Sequence, residues 1–308
     1  MLWMLLTLFY GVVKGLREIV KKKSLEKSTV TEVLFFYTLI GFCILLPDVG
    51  EVTIMAPKFF ALVALKSFVI FVAWLCGFRA IKEIPVSLYG LLDLSRVLFA
   101  MLLGVLLLKE VLSTGQIIGM CLVALGLAAL RFEDKVHALL QGGKRAEEEE
   151  RREAGAGSPA GAEKEKKGHL WIFVTLSFLS AFLNAVSGTM DKILTKEISS
   201  ADLQFWYMLF LLLFYALYIL CRKVRINWKQ TAKNGWIWIL SILFILADRA
   251  LFVANSIPDS RVTVMTLIKQ SGCIVTILGG RLVFKEKGIG YKLCCAAVII
   301  AGIMTGVM

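Results

Sequence analysis

The chain has 308 residues, 58% of them hydrophobic, and a formal net charge of +12. Soluble domains are only about 45–50% apolar. This composition, with apolar runs of about 20 residues along the whole length, excludes a soluble globular protein and indicates a polytopic α-helical membrane protein. Most basic residues flank the apolar runs, which is typical of residues that set membrane topology. We therefore expect the lipid bilayer as a partner and no nucleic acid.

The apolar runs predict ten membrane spans. They are residues 2–20, 32–47, 59–81, 85–108, 113–131, 170–190, 203–221, 235–256, 261–284 and 289–308. The seven cysteines show no CxxC spacing, so we expect neither a metal site nor a disulfide framework, and no cofactor.

A polar segment, residues 133–168, separates the first five spans from the last five. It is charged, rich in Gly and Ala, and without apolar periodicity, which is typical of a disordered linker. The linker divides the chain into two five-span halves, residues 1–132 and 169–308.

The two halves share sequence. VSLYGLLDLSRVLFAMLLGVLLLKE, residues 86–110, aligns with VTVMTLIKQSGCIVTILGGRLVFKE, residues 262–286, and EVLFFYTL from Glu32 aligns with DLQFWYML from Asp202. An odd number of spans in each half makes the second half enter the membrane from the opposite side. We therefore predict two inverted five-helix repeats, an architecture of many secondary transporters.

The fourth span of each half ends in the pattern G-x-x-x-x-K-E, at residues 104–110 and 280–286. Together with the five-span halves, this pattern resembles the drug/metabolite transporter superfamily, and most closely its EamA-like family. The resemblance covers both halves. It implies a membrane carrier for small metabolites, often amino acids, sugars or drugs, with a central cavity lined by spans three, four, eight and nine.

Charged residues within the spans are the candidates for the site. An ionisable group at mid-helix costs about 2.5–3.5 kcal/mol to insert, so such groups are normally paired or line a wet cavity. Asp93 and Lys269 occupy matching positions of the two halves with opposite charge. Helical spacing adds their neighbours on the same spans, and other spans add polar or aromatic side chains. The predicted substrate site consists of Tyr89, Asp93, Arg96, Lys269, Gln270, Asp248, Arg249, Trp74 and Asn184.

Two interpretations of these charges stay open. The basic side chains would hold a substrate carboxylate, and Asp93 or Asp248 an amine or a coupling proton. Alternatively the charges neutralise one another, with Asp93 paired to Arg96 on its own helix or to Lys269 across the two-fold axis.

The sequence carries no HExxH, P-loop or GxSxG motif, so we expect no enzyme activity and no ATP-driven transport. We expect a secondary active transporter of the cell membrane that works by alternating access on a small molecule, as a monomer or weak dimer, with a proton as the coupling ion. The alternatives are a non-transporting scaffold or lipid-binding subunit, or a cation channel. The distribution of basic residues predicts that both termini lie outside, whereas the family resemblance implies that they lie in the cytoplasm.

Overall fold

The structure is a computed structural model that describes residues 2–108, 113–129, 160–194, 197–257, 268–286 and 288–307. The regular elements in these ranges are all helical. They are α1 (Leu2–Leu25), α2 (Val30–Leu45), a 3₁₀ helix (Leu46–Glu51), α3 (Pro57–Glu83), α4 (Val86–Asp93), α5 (Ser95–Leu108), α6 (Thr114–Ala129), α7 (Ala160–Leu194), α8 (Ser200–Arg222), α9 (Trp228–Ala232), α10 (Gly235–Ser256), α11 (Ser271–Phe284) and α12 (Ile289–Val307). Lys109, Glu110 and most of the predicted linker lie outside the described residues.

Helix length and composition confirm an all-α membrane protein. Three helices are long and apolar enough to cross a bilayer, at Pro57–Glu83, Leu170–Asp191 and Ala201–Arg222. Shorter apolar helices accompany them at Val30–Leu45, Ile117–Ala129, Ser271–Phe284 and Ile289–Thr305. Large apolar side chains on the outer faces are exposed, for example Leu220 at 73%, as a lipid-facing surface requires.

The fourth predicted span, residues 85–108, is divided into two helices, α4 and α5, by a turn at Leu94. α4 ends at Asp93, where the N–H of Leu94 bonds the carbonyl of Leu91 at 3.1 Å in a tighter 3₁₀ turn. The hydroxyl of Ser95 donates to the carbonyl of Leu92 at 2.7 Å and competes with the regular helical bond there.

The second half contains a break at the aligned position. Residues 268–269 are helical, Gln270 forms a turn, and α11 begins at Ser271. The N–H of Cys273 bonds the carbonyl of Gln270 at 2.9 Å, again three residues back. Because Leu94 aligns with Gln270, each break directly follows one of the two matched charges, Asp93 or Lys269.

The helix that opens the second half starts earlier than the predicted span. α7 begins at Ala160, within the segment that the sequence assigns to the linker. The sequence AGAEKEKK, residues 160–167, consists almost entirely of Ala, Glu and Lys, which have high intrinsic helix propensity.

The helices pack in a reciprocal pattern. In the first half, α1 packs against α10 and α11 of the second. In the second half, α7 packs against α3, α4 and α5 of the first. Among the remaining contacts, α2 lies against α8 and α10, α8 against α3, and α6 against α12. The central helices are therefore enclosed by helices from both halves.

Two carboxylates fix the directions of α2 and α8. Glu32, in the first turn of α2, accepts a hydrogen bond from the N–H of Asn227, which follows the end of α8, at 2.9 Å. Asp202, in the first turn of α8, accepts one from the N–H of Thr53, which follows α2, at 2.6 Å. Each helix begins where the other ends, so the two run antiparallel.

Candidate functional site

A polar stripe on α1 forms one wall of the central site. Lys14, Arg17, Glu18 and Lys21 have spacings of three and four residues, which puts them on one face of the helix. That face points into the protein, and Lys21 is only 7% exposed. The sequence analysis did not name these residues as site candidates, because it took its candidates from other spans and counted Lys21 as a topology signal. The same helical spacing that was applied to the fourth span would have found them.

Asp93 lies at the centre of the site. Its Oδ2 accepts from Nζ of Lys14 at 3.0 Å, and its Oδ1 accepts from Nη2 of Arg96 at 3.0 Å. The pairing with Arg96 was one of the two alternatives, although it forms across the helix break and not along one helix. The alternative, a pairing with Lys269, is not among the ion pairs that Asp93 makes with the described residues.

Close packing of α1 explains why Asp93 bonds Lys14. A Cβ added to Gly15 would lie 2.5 Å from the carbonyl oxygen of Gly272 in α11, and one added to Gly11 would lie 3.0 Å from the carbonyl oxygen of Ile268. The G-x-x-x-G spacing lets the two backbones approach, as in many membrane helix pairs. Lys14, between these glycines, therefore reaches Asp93.

A small cavity lies at the two helix breaks. It is lined by residues of α1, of α4 and the break after it, and of α11 and the break before it: Lys14, Gly15, Glu18, Gly90, Asp93, Leu94, Gln270, Gly272, Cys273 and Thr276. Its volume is about 10 Å³, close to the space that a single water molecule needs. The predicted residues Asp93 and Gln270 therefore share one cavity, and in this conformation it is closed to a metabolite.

Arg17 and Asp248 occupy the neighbouring region. The guanidinium of Arg17 lies over the ring of Phe244, with Cζ 4.9 Å from the centroid. Asp248, half-buried in α10, interacts electrostatically with Arg17, and also with Lys66 and Lys269. It forms no hydrogen bond or ion pair with any residue that the structure describes.

Aromatic side chains surround Arg17. Tyr37 lies 5.2 Å from Trp74 and 5.4 Å from Phe244, measured between ring centroids. Trp74 and Phe244 are 6.0 Å apart with nearly perpendicular rings. The predicted residue Trp74 therefore belongs to an aromatic cluster at the edge of the charged region.

Two further ion pairs complete the group. Lys21 bonds Glu18 at 2.6 Å and lies over the rings of Phe78 and Tyr89. The predicted residue Tyr89 is thus brought to the charged region through α1.

Lys66 of α3 pairs with Asp191 of α7 at 3.1 Å, and its ammonium lies 4.1 Å from the ring centroid of Tyr207. Lys66 is only 2% exposed, whereas the Asp191 side chain is 42% exposed, so this pair joins the two halves with its basic member buried and its acidic member partly open. Asp191 and Tyr207 were not among the site predictions.

Two predicted site residues lie apart from this group. Arg249 is exposed, because consecutive residues on a helix point about 100° apart and Asp248 takes the inward direction. Asn184 donates from Nδ2 to the carbonyl of Ser180 at 2.8 Å, one turn back on its own helix. Arg249 thus points away from the face of α10 that carries Asp248, and Asn184 is bonded within its own helix.

Lys285 and Glu286 end the aligned stretch of the second half, and Glu286 contacts the beginning of the aligned stretch of the first half. Lys285 adopts a left-handed conformation, with φ of 54°, and ends α11. The carboxylate of Glu286 then accepts hydrogen bonds from the N–H of Val86 at 2.6 Å and of Ser87 at 3.1 Å, and from the Ser87 hydroxyl. A Cβ on Gly280 would lie 2.7 Å from a carboxylate oxygen of Glu286, so glycine leaves room for this cap.

No group of three or more His, Cys, Asp and Glu side chains in the described ranges is arranged to hold a metal ion. The site therefore consists of ion pairs, two arginines and aromatic rings, gathered where the two fourth spans break. Such a set can bind and release a charged solute and can take up a proton.

Comparison with protein families finds a match in the first half of the chain. Residues 1–132 match the EamA-like transporter family, which belongs to the drug/metabolite transporter superfamily. The resemblance inferred from the sequence is thus confirmed for these residues. No curated protein sequence matches the chain significantly.

Proposed function

We propose that this protein is a secondary active transporter that moves a small metabolite across the cell membrane by alternating access. The observation that carries the proposal is the pair of helix breaks at aligned positions, each beside a charged residue and both lining one closed cavity. Broken helices at a repeat interface are a recurrent way for transporters to build a midplane site.

An inverted repeat is supported by hydrogen bonds that occur in equivalent pairs. The hydroxyl of Ser67 in α3 donates to the carbonyl of Tyr207 in α8 at 3.2 Å. The hydroxyl of Ser241 in α10 donates to the carbonyl of Tyr37 in α2 at 3.3 Å. Tyr37 aligns with Tyr207. In each half a serine hydroxyl therefore donates to the carbonyl of the aligned tyrosine in the other half. The reciprocal bonds of Glu32 and Asp202 and the antiparallel α2 and α8 support the same relation.

The closed cavity suggests how the cycle proceeds. The Asp93 pairs with Lys14 and Arg96 neutralise the site when no substrate is bound. A substrate that competes for these partners would loosen the contacts among α1, α4 and α11. Because both fourth spans are interrupted at the cavity, their segments can reorient there without breaking a continuous helix.

Asp248 is the proposed proton site. Its carboxylate has no ion-pair partner among the described residues, whereas Glu18, Asp93 and Asp191 each have a basic partner within 4 Å. The charged groups that act on it are Arg17 of α1, Lys66 of α3, Asp191 of α7 and Lys269 before α11. Protonation of Asp248 would therefore change the charge balance at contacts between both halves.

Solute counterflow into proteoliposomes tests the function. Purified protein should exchange at least one labelled solute from a panel of amino acids, organic acids, sugars and nucleosides, with saturation. The Asp93→Asn variant should lose this flux. A matched Glu26→Gln variant, which neutralises the exposed Lys23–Glu26 pair, should retain it.

Two other outcomes would contradict a carrier. A steady ion current without counterflow would favour a cation channel, since channels conduct without a closed intermediate. Absence of both flux and current across the panel, with tight lipid co-purification, would favour a scaffold or lipid-binding subunit.

A further inference from the structure

We propose that the transported substrate carries an oxyanion, a carboxylate or a phosphate, which binds Arg17 and Arg96 beside Tyr10. The inference rests on the proposed transport function and specifies the chemical class of its substrate. It follows from the hydrogen-bonding state of the two arginines, the charge balance around them and their common neighbour.

Arg17 has unused donor capacity in a buried position. Its Nε–H is buried and has no hydrogen-bond partner, and its guanidinium forms no ion pair with a described residue. The adjacent acid, Glu18, is bonded to Lys21 at 2.6 Å. A buried donor without an acceptor is destabilising by about 1–3 kcal/mol, and more when it is charged. An oxyanion that accepts from Arg17 would remove this cost.

Arg96 also has unused donor capacity, although its side chain as a whole is 37% exposed. One of its terminal nitrogens bonds Asp93, while its Nε–H is buried without a partner. A guanidinium presents donors in a planar fork that matches carboxylate and phosphate oxygens. Arg96 can therefore retain its hydrogen bond to Asp93 and still donate to an anion from its Nε–H.

Tyr10 is a common neighbour of three basic side chains. It is an electrostatic neighbour of both Arg17 and Arg96. The ammonium of Lys269 lies 5.8 Å from the centroid of its ring. Lys269 thus lies against the ring of Tyr10, and Arg17 of α1 and Arg96 of α5 are close enough to interact electrostatically with its phenol, whose hydroxyl can donate to an anion.

The charge balance of the site favours a negative substrate. The basic members are Lys14, Arg17, Lys21, Arg96 and Lys269, and the acidic members are Glu18, Asp93 and Asp248. The neighbouring Lys66–Asp191 pair is neutral as a unit. Among these described side chains the basic groups outnumber the acidic ones by two when all the acids are ionised. Charge at membrane depth is costly, and a bound anion would lower the net positive charge of this group.

Thermal stability of the purified protein tests the inference without requiring transport. The probes are succinate, glutamate, inorganic phosphate and glucose 6-phosphate, compared with succinamide, glucose and putrescine at constant ionic strength. We expect at least one anion to raise Tm, since a ligand of the folded form stabilises it by mass action, and the neutral and cationic probes to have no effect. The carboxylate and phosphate arms distinguish the two anion types.

Substitution of Arg17 tests whether this residue is responsible for the anion-dependent rise in Tm. Arg17→Gln should abolish the anion-dependent shift, and Arg17→Lys should weaken anion affinity on the order of tenfold, because lysine keeps the charge but loses the planar fork. Arg79→Gln, at an exposed arginine of α3 whose Nη2 lies 3.3 Å from the hydroxyl of Tyr218, is the control and should leave the shift unchanged.

The results separate this inference from the proposed function. No anion-dependent shift in the wild type, a shift with putrescine alone, or equal shifts in the wild type and in both Arg17 variants would overturn the inference. Counterflow of a neutral solute would then still support a transporter. Anion binding that depends on Arg17, in a protein without counterflow, would retain the anion site and refute transport.

Discussion

The carboxylate of Glu286 accepts a hydrogen bond from the backbone N–H of Val86 at 2.6 Å, although the two residues are 200 positions apart in the chain. The end of α11 therefore serves as the N-terminal cap of α4. A carboxylate is well suited to this position, since the first N–H groups of a helix have no partner within it and the helix dipole favours negative charge there.

Removing this cap should destabilise the protein. Glu286→Ala leaves the N–H groups of Val86 and Ser87 without their acceptor, and we expect a loss of about 1–2 kcal/mol in the free energy of unfolding, the usual range for a lost cap. Glu286→Gln keeps one acceptor oxygen and should lose less. Unfolding in SDS measures both. An equal effect from Glu197→Ala, at an exposed glutamate, would show that the loss is unspecific.

Breaking the Asp93–Lys14 pair should be more costly than breaking a surface pair. In Asp93→Asn both Lys14 and Arg96 lose a charged acceptor, and we expect destabilisation of about 2–3 kcal/mol, below the value for fully buried pairs because the Lys14 and Asp93 side chains remain 20% and 18% exposed.

A double-mutant cycle isolates the pair. Adding Lys14→Met to Asp93→Asn should restore part of the loss, and the coupling energy should be about 1–2 kcal/mol. The same cycle on the exposed pair Lys23 and Glu26 should give no more than about 0.5 kcal/mol. Additive effects at Asp93 and Lys14 would argue against a direct interaction.

The approach of α1 to α11 should be sensitive to one methyl group. A Cβ on Gly15 meets backbone at 2.5 Å, which a rotamer change cannot relieve, so Gly15→Ala should lower the free energy of unfolding by about 1–3 kcal/mol. Gly188 in α7 has no atom within 4 Å of its added Cβ, and Gly188→Ala should stabilise by about 0.5–1 kcal/mol through helix propensity. Thermal unfolding of the two variants checks the opposite signs.

Asp248→Asn should abolish proton coupling without abolishing solute exchange. An amide cannot take up the proton that the proposed cycle requires, so accumulation driven by a pH gradient should be lost, while counterflow at equal pH should remain. Glu83→Gln, at an exposed acid of α3, is the control. Accumulation that persists in the Asp248 variant would exclude this residue as the coupling site.

Hydropathy predicted most helices closely, because burial in a bilayer demands long apolar runs whatever the packing. The third span, predicted at 59–81, is α3 at Pro57–Glu83. The break at Leu94 escaped prediction, because no proline marks it and the apolar run continues on both sides of Asp93, Ser95 and Arg96. The aligned break at Gln270 likewise has no proline beside it.

The site was predictable where its signal was local. Charge within an apolar run identified Asp93, Arg96, Lys269 and Asp248, since such residues are rare in lipid. Their partners depend on which helices meet in three dimensions. Lys14 and Arg17 become part of the site only because Gly11 and Gly15 bring α1 against α11, and Arg249 falls outside it because Asp248 faces inward.

The hydrogen bond from Thr53 to Asp202 has a consequence for synthesis. The loop after α2 finds its native acceptor 149 residues further along the chain, and Asp202 leaves the ribosome roughly 7–30 s later at ordinary rates of about 5–20 residues per second. During that interval the first half lacks this bond. Glu32 likewise gains its hydrogen bond only after Asn227 has been synthesised. The first half therefore completes these contacts only when the second half is available to it.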